Sequence, residues 1–357
     1  MVLKCFSFAS MRKLWKVVRF LLIVLIGLEV FLQFYNPFTS RIKIEKIILP
    51  KNIVYEVEQN ETKLIDNKII HSKNSLGFRG VEPNENKKKV ICMGGSTTEC
   101  FYLSDGKDWP NLIAKKLERK DTHFWLNNAG MDGHSTFGHI KMLEKYIVPL
   151  KPKYLVLMCG LNDLYINEAN RFEQKKMSWF KSVYSALEIP STILNISRAN
   201  EARKAGLNHQ IIQDISKCET MEISDSLINQ MIIEEKDKIK NYKARLNKIA
   251  KICKKNNIKL ILISQSILFS NENDLFTDTY LGNLKTGRSN GKAIGKILSV
   301  YNRATEEVAE KNEIKFIALG KRLPKDSRYF YDGYHLSNEG SEMVAEIIYD
   351  ELKYTLK

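Results

Sequence analysis

The stretch VICMGGSTTEC, Val90 to Cys100, decides how the rest of the chain is read. Four mostly apolar residues have the character of a buried strand. Gly94-Gly95 breaks that strand, and a serine, two threonines and a glutamate follow. Paired glycines let the backbone turn off a sheet without a Cβ penalty. Ser96 then stands at the head of the next element. Ser96-Thr97-Thr98-Glu99 has the S-x-x-E form of a capping box that starts a helix. The same position suits a nucleophile, because the N–H groups and dipole of a helix amino terminus favour negative charge beside it.

Working outward, apolar runs and amphipathic segments alternate. KVICMG (Lys89–Gly94), FWLNNAG (Phe124–Gly130), KYLVLMCG (Lys153–Gly160), IKLILISQ (Ile258–Gln265) and IKFIAL (Ile314–Leu319) read as strands. Helices are predicted over Trp109–Arg119, with Pro110 suited to its first turn, and over Thr136–Tyr146, Glu234–Lys255, Ile294–Lys311 and Glu339–Leu352. Continuous apolar strands separated by helices predict an α/β fold, a parallel sheet with helices on both faces. Right-handed crossovers place every strand carboxyl end on one edge, where such sheets bind ligands. Residues 167–226 break the rhythm. They are polar and partly helical, and are read as an insertion forming a lid or small subdomain.

Four features fall on that edge. Ser96 follows the first strand, Gly130 the second and Gly160-Leu161-Asn162-Asp163 the third; Asp332 and His335 of YFYDGYHLSNEG precede the last helix. A serine hydroxyl needs a base to take its proton, and His335 suits that role. Asp332, three residues earlier, can accept the other ring N–H and steady the imidazolium. A carbonyl under attack needs donors for its developing charge. The candidates are the Ser96 and Gly130 backbone N–H groups and the Asn162 amide.

In order and at matching strand ends, GGSTTE, NNAGMDG, CGLND and DGYH resemble the four marks of the SGNH hydrolases, a branch of the GDSL esterase and lipase superfamily. Gly95 departs from the family's usual aspartate before the serine. Membrane-anchored relatives carry such a G-G-S-T variant, with an upstream N-x-x-G-F-R-G like NSLGFRG, Asn74–Gly80. The resemblance runs from about Asn74 to Leu352 and leaves the insertion unmatched. It implies a three-layer flavodoxin-like fold and a serine-dependent ester hydrolase or acyltransferase working through acyl-Ser96. It implies acyl groups, often acetyl, on envelope glycans or lipids, and no metal or organic cofactor. Two other readings keep the fold: a non-catalytic glycan-binding or assembly protein, and a thioesterase or lysophospholipase at the bilayer.

Other residues have plainer readings. Asp163 bonds backbone in its turn. Asp132, His134 and His139 invite a metal, but without the spacing of a known helical pair. Arg79 is either structural or reaches the crevice to meet an anionic group. Met142, Leu143 and Tyr146 form a core stripe, and residues 236–255 carry a solvated lysine face.

At the amino terminus Arg12, Lys13, Lys16 and Arg19 precede FLLIVLIGLEVFLQFY, Phe20–Tyr35. Val17–Tyr35 as a helix covers about 28 Å, near the hydrocarbon thickness of a bilayer. Trp15, Phe34 and Tyr35 suit the interfaces, Glu29 and Gln33 are tolerable toward one end, and no small-residue cleavage site follows. A cleaved signal peptide and a buried soluble helix are the rival readings. Arg41, Lys43, Lys46 and Lys51 flank the far end, so it is the acid-free leader that tips the amino terminus to the inside. On this reading the chain divides into a cytoplasmic leader and anchor at 1–40, a connector at 41–88 with a short strand in IVYEVEQ, and the main domain at 89–357, outside the cytoplasm. The 56 basic against 41 acidic residues give +15, which favours anionic partners or a solvated surface. With no zinc-finger spacing or RNA-binding motif, no nucleic acid partner is expected. Six cysteines without a C-x-x-C pair do not make a disulfide framework.

Overall fold

The computed structural model describes residues 8–38, 41–42, 47–120, 123–165, 187–204, 209–212 and 214–356. In chain order the principal elements begin with α1 (Phe8–Phe34), β1 (Ile53–Glu58), β2 (Lys68–Lys73), β3 (Lys88–Gly94), α2 (Ser96–Glu99) and α3 (Trp109–Lys120). Next come β4 (Phe124–Asn128), α4 (Thr136–Met142), β5 (Tyr154–Met158), α5 (Leu161–Leu164), α6 (Glu188–Lys204) and α7 (Asp225–Glu234). The chain closes with α8 (Lys236–Lys255), β6 (Lys259–Ile263), α9 (Gly291–Lys311), β7 (Lys315–Ile317) and α10 (Asn338–Leu352).

These elements form two compact units, Met1–Leu49 with Phe172–Asn200, and Pro50–Arg171 with Glu201–Lys357. In the first, α1 is 27 residues, about 40 Å at the helical rise. Its apolar side chains, Trp15, Phe20, Ile23 and Ile26 among them, are exposed around the helix. It is long and apolar enough to cross a membrane, a measure that a signal sequence also meets. Glu29, the one acid in this helix, is not left bare. Its carboxylate accepts the N–H groups of Glu188 at 2.6 Å and Ile189 at 3.0 Å, at the amino terminus of α6. A helix start supplies both orphan donors and a favourable dipole for that charge.

The second unit is built on a five-stranded sheet of order β7-β6-β5-β3-β4, every pairing parallel. The side chains of β4 and β5 are buried throughout, as strands covered on both faces require. Amphipathic α3 packs with α10, and α8 packs with α9 and α4. This is the three-layer flavodoxin-like arrangement. The chain leaves β3 for β4 on one side and later returns to β5 on the other. The switch point, and with it the ligand crevice of such sheets, therefore lies at the carboxyl ends of β3 and β5.

Local differences from the sequence reading have physical causes. The second and third strands end two residues early, at Asn128 and Met158, because the residues beyond turn off the sheet edge. The helix expected over 136–146 is α-helical only to Met142 and continues as a π turn, Leu143–Ile147, and a 3₁₀ turn, Val148–Leu150. Pro149 lacks an N–H and its ring crowds the carbonyl four residues back. The helix expected over 234–255 is present as α8, Lys236–Lys255; Glu234 instead ends α7, whose N-cap Ser224 accepts the Leu227 N–H. IVYEVEQ is a strand as expected, and β2 pairs with it antiparallel, Tyr55 opposite His71. Of the insertion at 167–226, the described part is α6, the start of α7 and a short extended stretch; residues 167–186, 205–208 and 213 lie outside the described residues.

Asp163 is structural, but its carboxylate serves a neighbouring helix where its own turn was expected. It accepts the Thr136 N–H at 3.1 Å and the Thr136 hydroxyl, and pairs with Arg245 Nη2 at 3.2 Å. One buried carboxylate thus ties the end of β5 to α4 and α8.

NSLGFRG likewise turns out to be an architectural device. Asn74 folds its own turn, its Oδ1 accepting the Leu76 and Phe78 N–H groups, while Nδ2 donates to Asn127 Oδ1 at 2.7 Å. Gly77 at φ +81° and Gly80 at φ +120° occupy backbone space that L residues rarely adopt. Phe78 and Arg79 are fully buried between them. The Arg79 backbone pairs antiparallel with Asn128 at the end of β4. Its guanidinium donates to the carbonyls of Glu99, Cys100 and Leu103 at 2.7–2.8 Å, and lies 3.2 Å from Asp105 and 3.6 Å from Asp108. Arg79 therefore clamps the carboxyl end of α2 and does not reach the crevice. Arg79→Ala is expected to lower unfolding stability by about 3–5 kcal/mol, since it strands a buried carboxylate and three carbonyls. Arg79→Lys, without the fork, should recover only part of this. Urea denaturation followed by circular dichroism measures both; a loss under about 1 kcal/mol in Arg79→Ala contradicts the clamp.

Candidate active site

The turn out of β3 fixes where Ser96 stands. A Cβ at Gly94 would lie 2.1 Å from Thr98 Oγ1 and 2.8 Å from the Met158 carbonyl. A Cβ at Gly95 would lie 2.3 Å from Asn162 Nδ2. The first glycine lets α2 fold back on the sheet. The second makes room for the Asn162 amide, which accounts in this chain for the missing aspartate.

The capping box does not form. Gly95 is the N-cap, Ser96 is already the first helical residue, and no side chain caps the helix. Glu99 turns the other way, bonding Lys73 Nζ at 2.6 Å and accepting the Asp132 N–H at 2.6 Å. These bonds tie α2 to β2 and to the loop after β4. The Ser96 hydroxyl is left for another partner.

That partner is His335. Its Nε2 lies 2.8 Å from Ser96 Oγ, and its Nδ1 lies 2.6 Å from Asp332 Oδ2. The other Asp332 oxygen accepts the backbone N–H groups of His335 at 2.7 Å and Tyr334 at 3.0 Å. Gly333 at φ +83° gives the short loop its bend, and a Cβ there would sit 2.6 Å from the Phe269 ring. Ser96, Asp332 and His335 are all buried. Burial alone would raise the Asp332 carboxyl; the charge and hydrogen bond of His335 outweigh it and hold the group below the usual carboxylate range. An ionised Asp332 accepts a hydrogen bond from Nδ1–H, which leaves Nε2 as the lone-pair nitrogen facing the serine.

The three expected donors stand differently. Ser96 begins α2, so its N–H has no intrahelical acceptor. Asn162, in α5 after β5, uses one amide hydrogen on the His134 carbonyl at 2.9 Å and keeps its second without a partner among the described residues. The Gly130 N–H donates to Asn128 Oδ1 at 2.8 Å and is engaged in this state. Gly130 is glycine for a nearer reason than substrate approach: a Cβ there would lie 2.3 Å from the Glu99 backbone nitrogen.

Asp132, His134 and His139 are not brought together as a ligand set. The two histidine rings lie 6.2 Å apart, while Asp132 turns to His209, with Oδ2 3.6 Å from Nε2. His209 is the residue sequence reasoning missed. It stacks on His335 with ring centroids 3.9 Å apart, and no periodicity or motif marks it within the polar insertion. His209, Asp332 and His335 bring ligand-type atoms within 4.8 Å of one another, but both His335 nitrogens and both Asp332 oxygens already have hydrogen-bond partners, Ser96 and the Tyr334 and His335 backbone N–H groups among them. The buried cysteines are free thiols; burial pushes Cys253 up to about 12 and raises Cys92 and Cys159 as well.

No curated protein matches the chain in sequence. Among solved structures, an acetylxylan esterase from Geobacillus stearothermophilus is 15% identical, with a TM-score of 0.45 over 75% of this chain and 96% of its own. An acetyl xylan esterase named AlAXEase is 14% identical, with a TM-score of 0.44 over 74% and 99%. A GDSL-like lipase from Bacteroides thetaiotaomicron is 16% identical, with a TM-score of 0.41 over 77% and 93%. The profile of the GDSL-like lipase/acylhydrolase family matches residues 92–343, well over half the chain and all of the site above. With that match, and with serine, imidazole and carboxylate in hydrogen-bonded sequence at the edge of a parallel sheet, the chain belongs to the GDSL-like lipase/acylhydrolase family and is a serine esterase of the SGNH type.

Proposed function

We propose that Ser96 is the nucleophile, His335 the general base and acid, and Asp332 the group that orients and steadies the imidazolium. The observation that carries this reading is the single ring of His335 bridging Ser96 Oγ and Asp332 Oδ2. As Ser96 Oγ bonds to the ester carbonyl carbon, its proton passes to Nε2. The carbonyl electron pair moves to oxygen, where the Ser96 N–H and the second Asn162 amide hydrogen meet it. Gly130 joins them only when Asn128 releases its N–H. Collapse of the intermediate returns the electron pair to the carbonyl and expels the alcohol, which takes the proton from Nε2. The acyl group then remains on Ser96. Water or a sugar hydroxyl, deprotonated by the same imidazole, reverses these steps and frees the serine. Hydrolysis and transfer share the acyl-enzyme and differ in which acceptor enters the crevice.

The substrate we propose is an O-acylated, most simply O-acetylated, glycan or lipid of the cell envelope. The support is the family's chemistry, the membrane-spanning character of α1 and the acid-free basic segment before it. The acid-free leader supports a main unit outside the cytoplasm, against the basic residues Arg41, Lys43, Lys46 and Lys51 at the far end of the helix. A reporter phosphatase that folds only outside the cytoplasm, fused at the carboxyl terminus, should be active; an inactive fusion at normal expression reverses the orientation.

A fluorophosphonate probe tests the chemistry itself. The full chain in detergent should label, and Ser96→Ala should not. A folded wild-type protein that takes no label makes this a binding module on a hydrolase fold. Label that persists in Ser96→Ala moves the nucleophile elsewhere.

A further inference from the structure

The insertion delivers a second histidine to the site. Its backbone is strapped to the loop that carries Asp332, with the Ile212 N–H on the Tyr331 carbonyl at 2.8 Å. Further along, the Met221 N–H bonds the Asn283 carbonyl at 2.7 Å, and the Lys285 N–H bonds the Glu219 carbonyl at 2.8 Å. His209 itself adopts φ +55°, in the left-handed region where histidine is among the more frequent non-glycine residues. Its side chain is 11% exposed. Nδ1 lies 2.7 Å from the Tyr331 hydroxyl, and Nε2 faces Asp132 Oδ2 at 3.6 Å. With both nitrogens directed to these partners, the ring presents a face, and that face lies on His335 at 25° between planes.

The hydrogen bonds of His335 to Ser96 and Asp332 fix where its nitrogens sit. They restrain only weakly the tilt of the ring about the line joining them. A second ring 3.9 Å away supplies that restraint. We infer that His209 is a positioning residue for acyl transfer: held by Tyr331 and Asp132, it stacks on His335 and keeps the imidazole plane aligned between Ser96 and Asp332. This rests on the reading of Ser96, Asp332 and His335 given above, and it assigns the described end of the insertion a part in catalysis.

The surrounding charges suit the same arrangement. Burial opposes a charge on His209, but the Asp132 and Asp332 carboxylates outweigh it and push the group above the ordinary histidine value. The other groups around the two rings are Tyr331, with its ring 5.7 Å from that of His335, Tyr102, 5.1 Å from His209, and Glu99, which is paired with Lys73.

The test compares His209→Ala and His209→Phe in the full-length detergent-solubilised protein, with p-nitrophenyl acetate as substrate. His209→Ala removes the ring and should lower kcat roughly tenfold or more at little change in KM. His209→Phe keeps a ring on His335 and should recover most of kcat. Wild-type kcat in both variants overturns the inference. So does an equal loss in both with a lowered Tm, the mark of a structural role. Wild-type protein that neither labels with fluorophosphonate nor turns over the ester sinks the underlying site assignment instead.

Discussion

The hydrogen bond from Ser96 Oγ to His335 Nε2 joins residues 239 positions apart, and most of the fold serves to make it possible. One partner leaves the carboxyl end of β3, in the middle of the sheet. The other stands on a loop that precedes the last helix. Only an all-parallel sheet with crossovers of one hand returns every strand end to the same edge. The 4-3-5-6-7 order of the strands then opens a crevice between β3 and β5, where Ser96 and Asn162 emerge.

Around that bond, the chain is held by close approach more than by size of core. Gly94, Gly95 and Gly130 are places where a single methyl would strike α2, the Asn162 amide or the Glu99 backbone. Arg79 gathers three carbonyls at the end of α2, and Glu99 is shared between Lys73 and the Asp132 N–H. A helix of one turn has little stability of its own. These buried, charge-assisted bonds supply what its length does not, and they determine the direction in which the serine hydroxyl points.

Much of this was legible in the sequence, and the reasons are particular. Strands buried on both faces read as unbroken apolar runs, so β3, β5 and β6 and the residues just beyond them could be placed without coordinates. Ser96 and Asn162 followed from those strand ends, and Asp332 and His335 from their three-residue spacing just before the last helix. What was not legible depended on long-range competition. Ser96-x-x-Glu99 satisfies the local rule for a capping box, but the rule cannot see that His335 claims the serine and Lys73 the glutamate. NSLGFRG carries an arginine and an aromatic residue like a ligand motif. Two left-handed glycines turn both side chains inward. The strand β2 has a burial pattern that its sequence, KIIHSK, only half announces. His209 lies in a polar stretch whose placement is set by backbone bonds to Tyr331 and Asn283, contacts that leave no periodic trace.

The account stands on an acyl group reaching Ser96 by way of His335. Brief exposure of the full-length protein to p-nitrophenyl acetate, acid quenching and peptide mass mapping read this directly. One acetyl group is expected on the peptide containing Ser96, with none on that peptide in His335→Ala over the same interval. Acetyl found on another side chain, or equal acetylation of Ser96 without the imidazole, would contradict it.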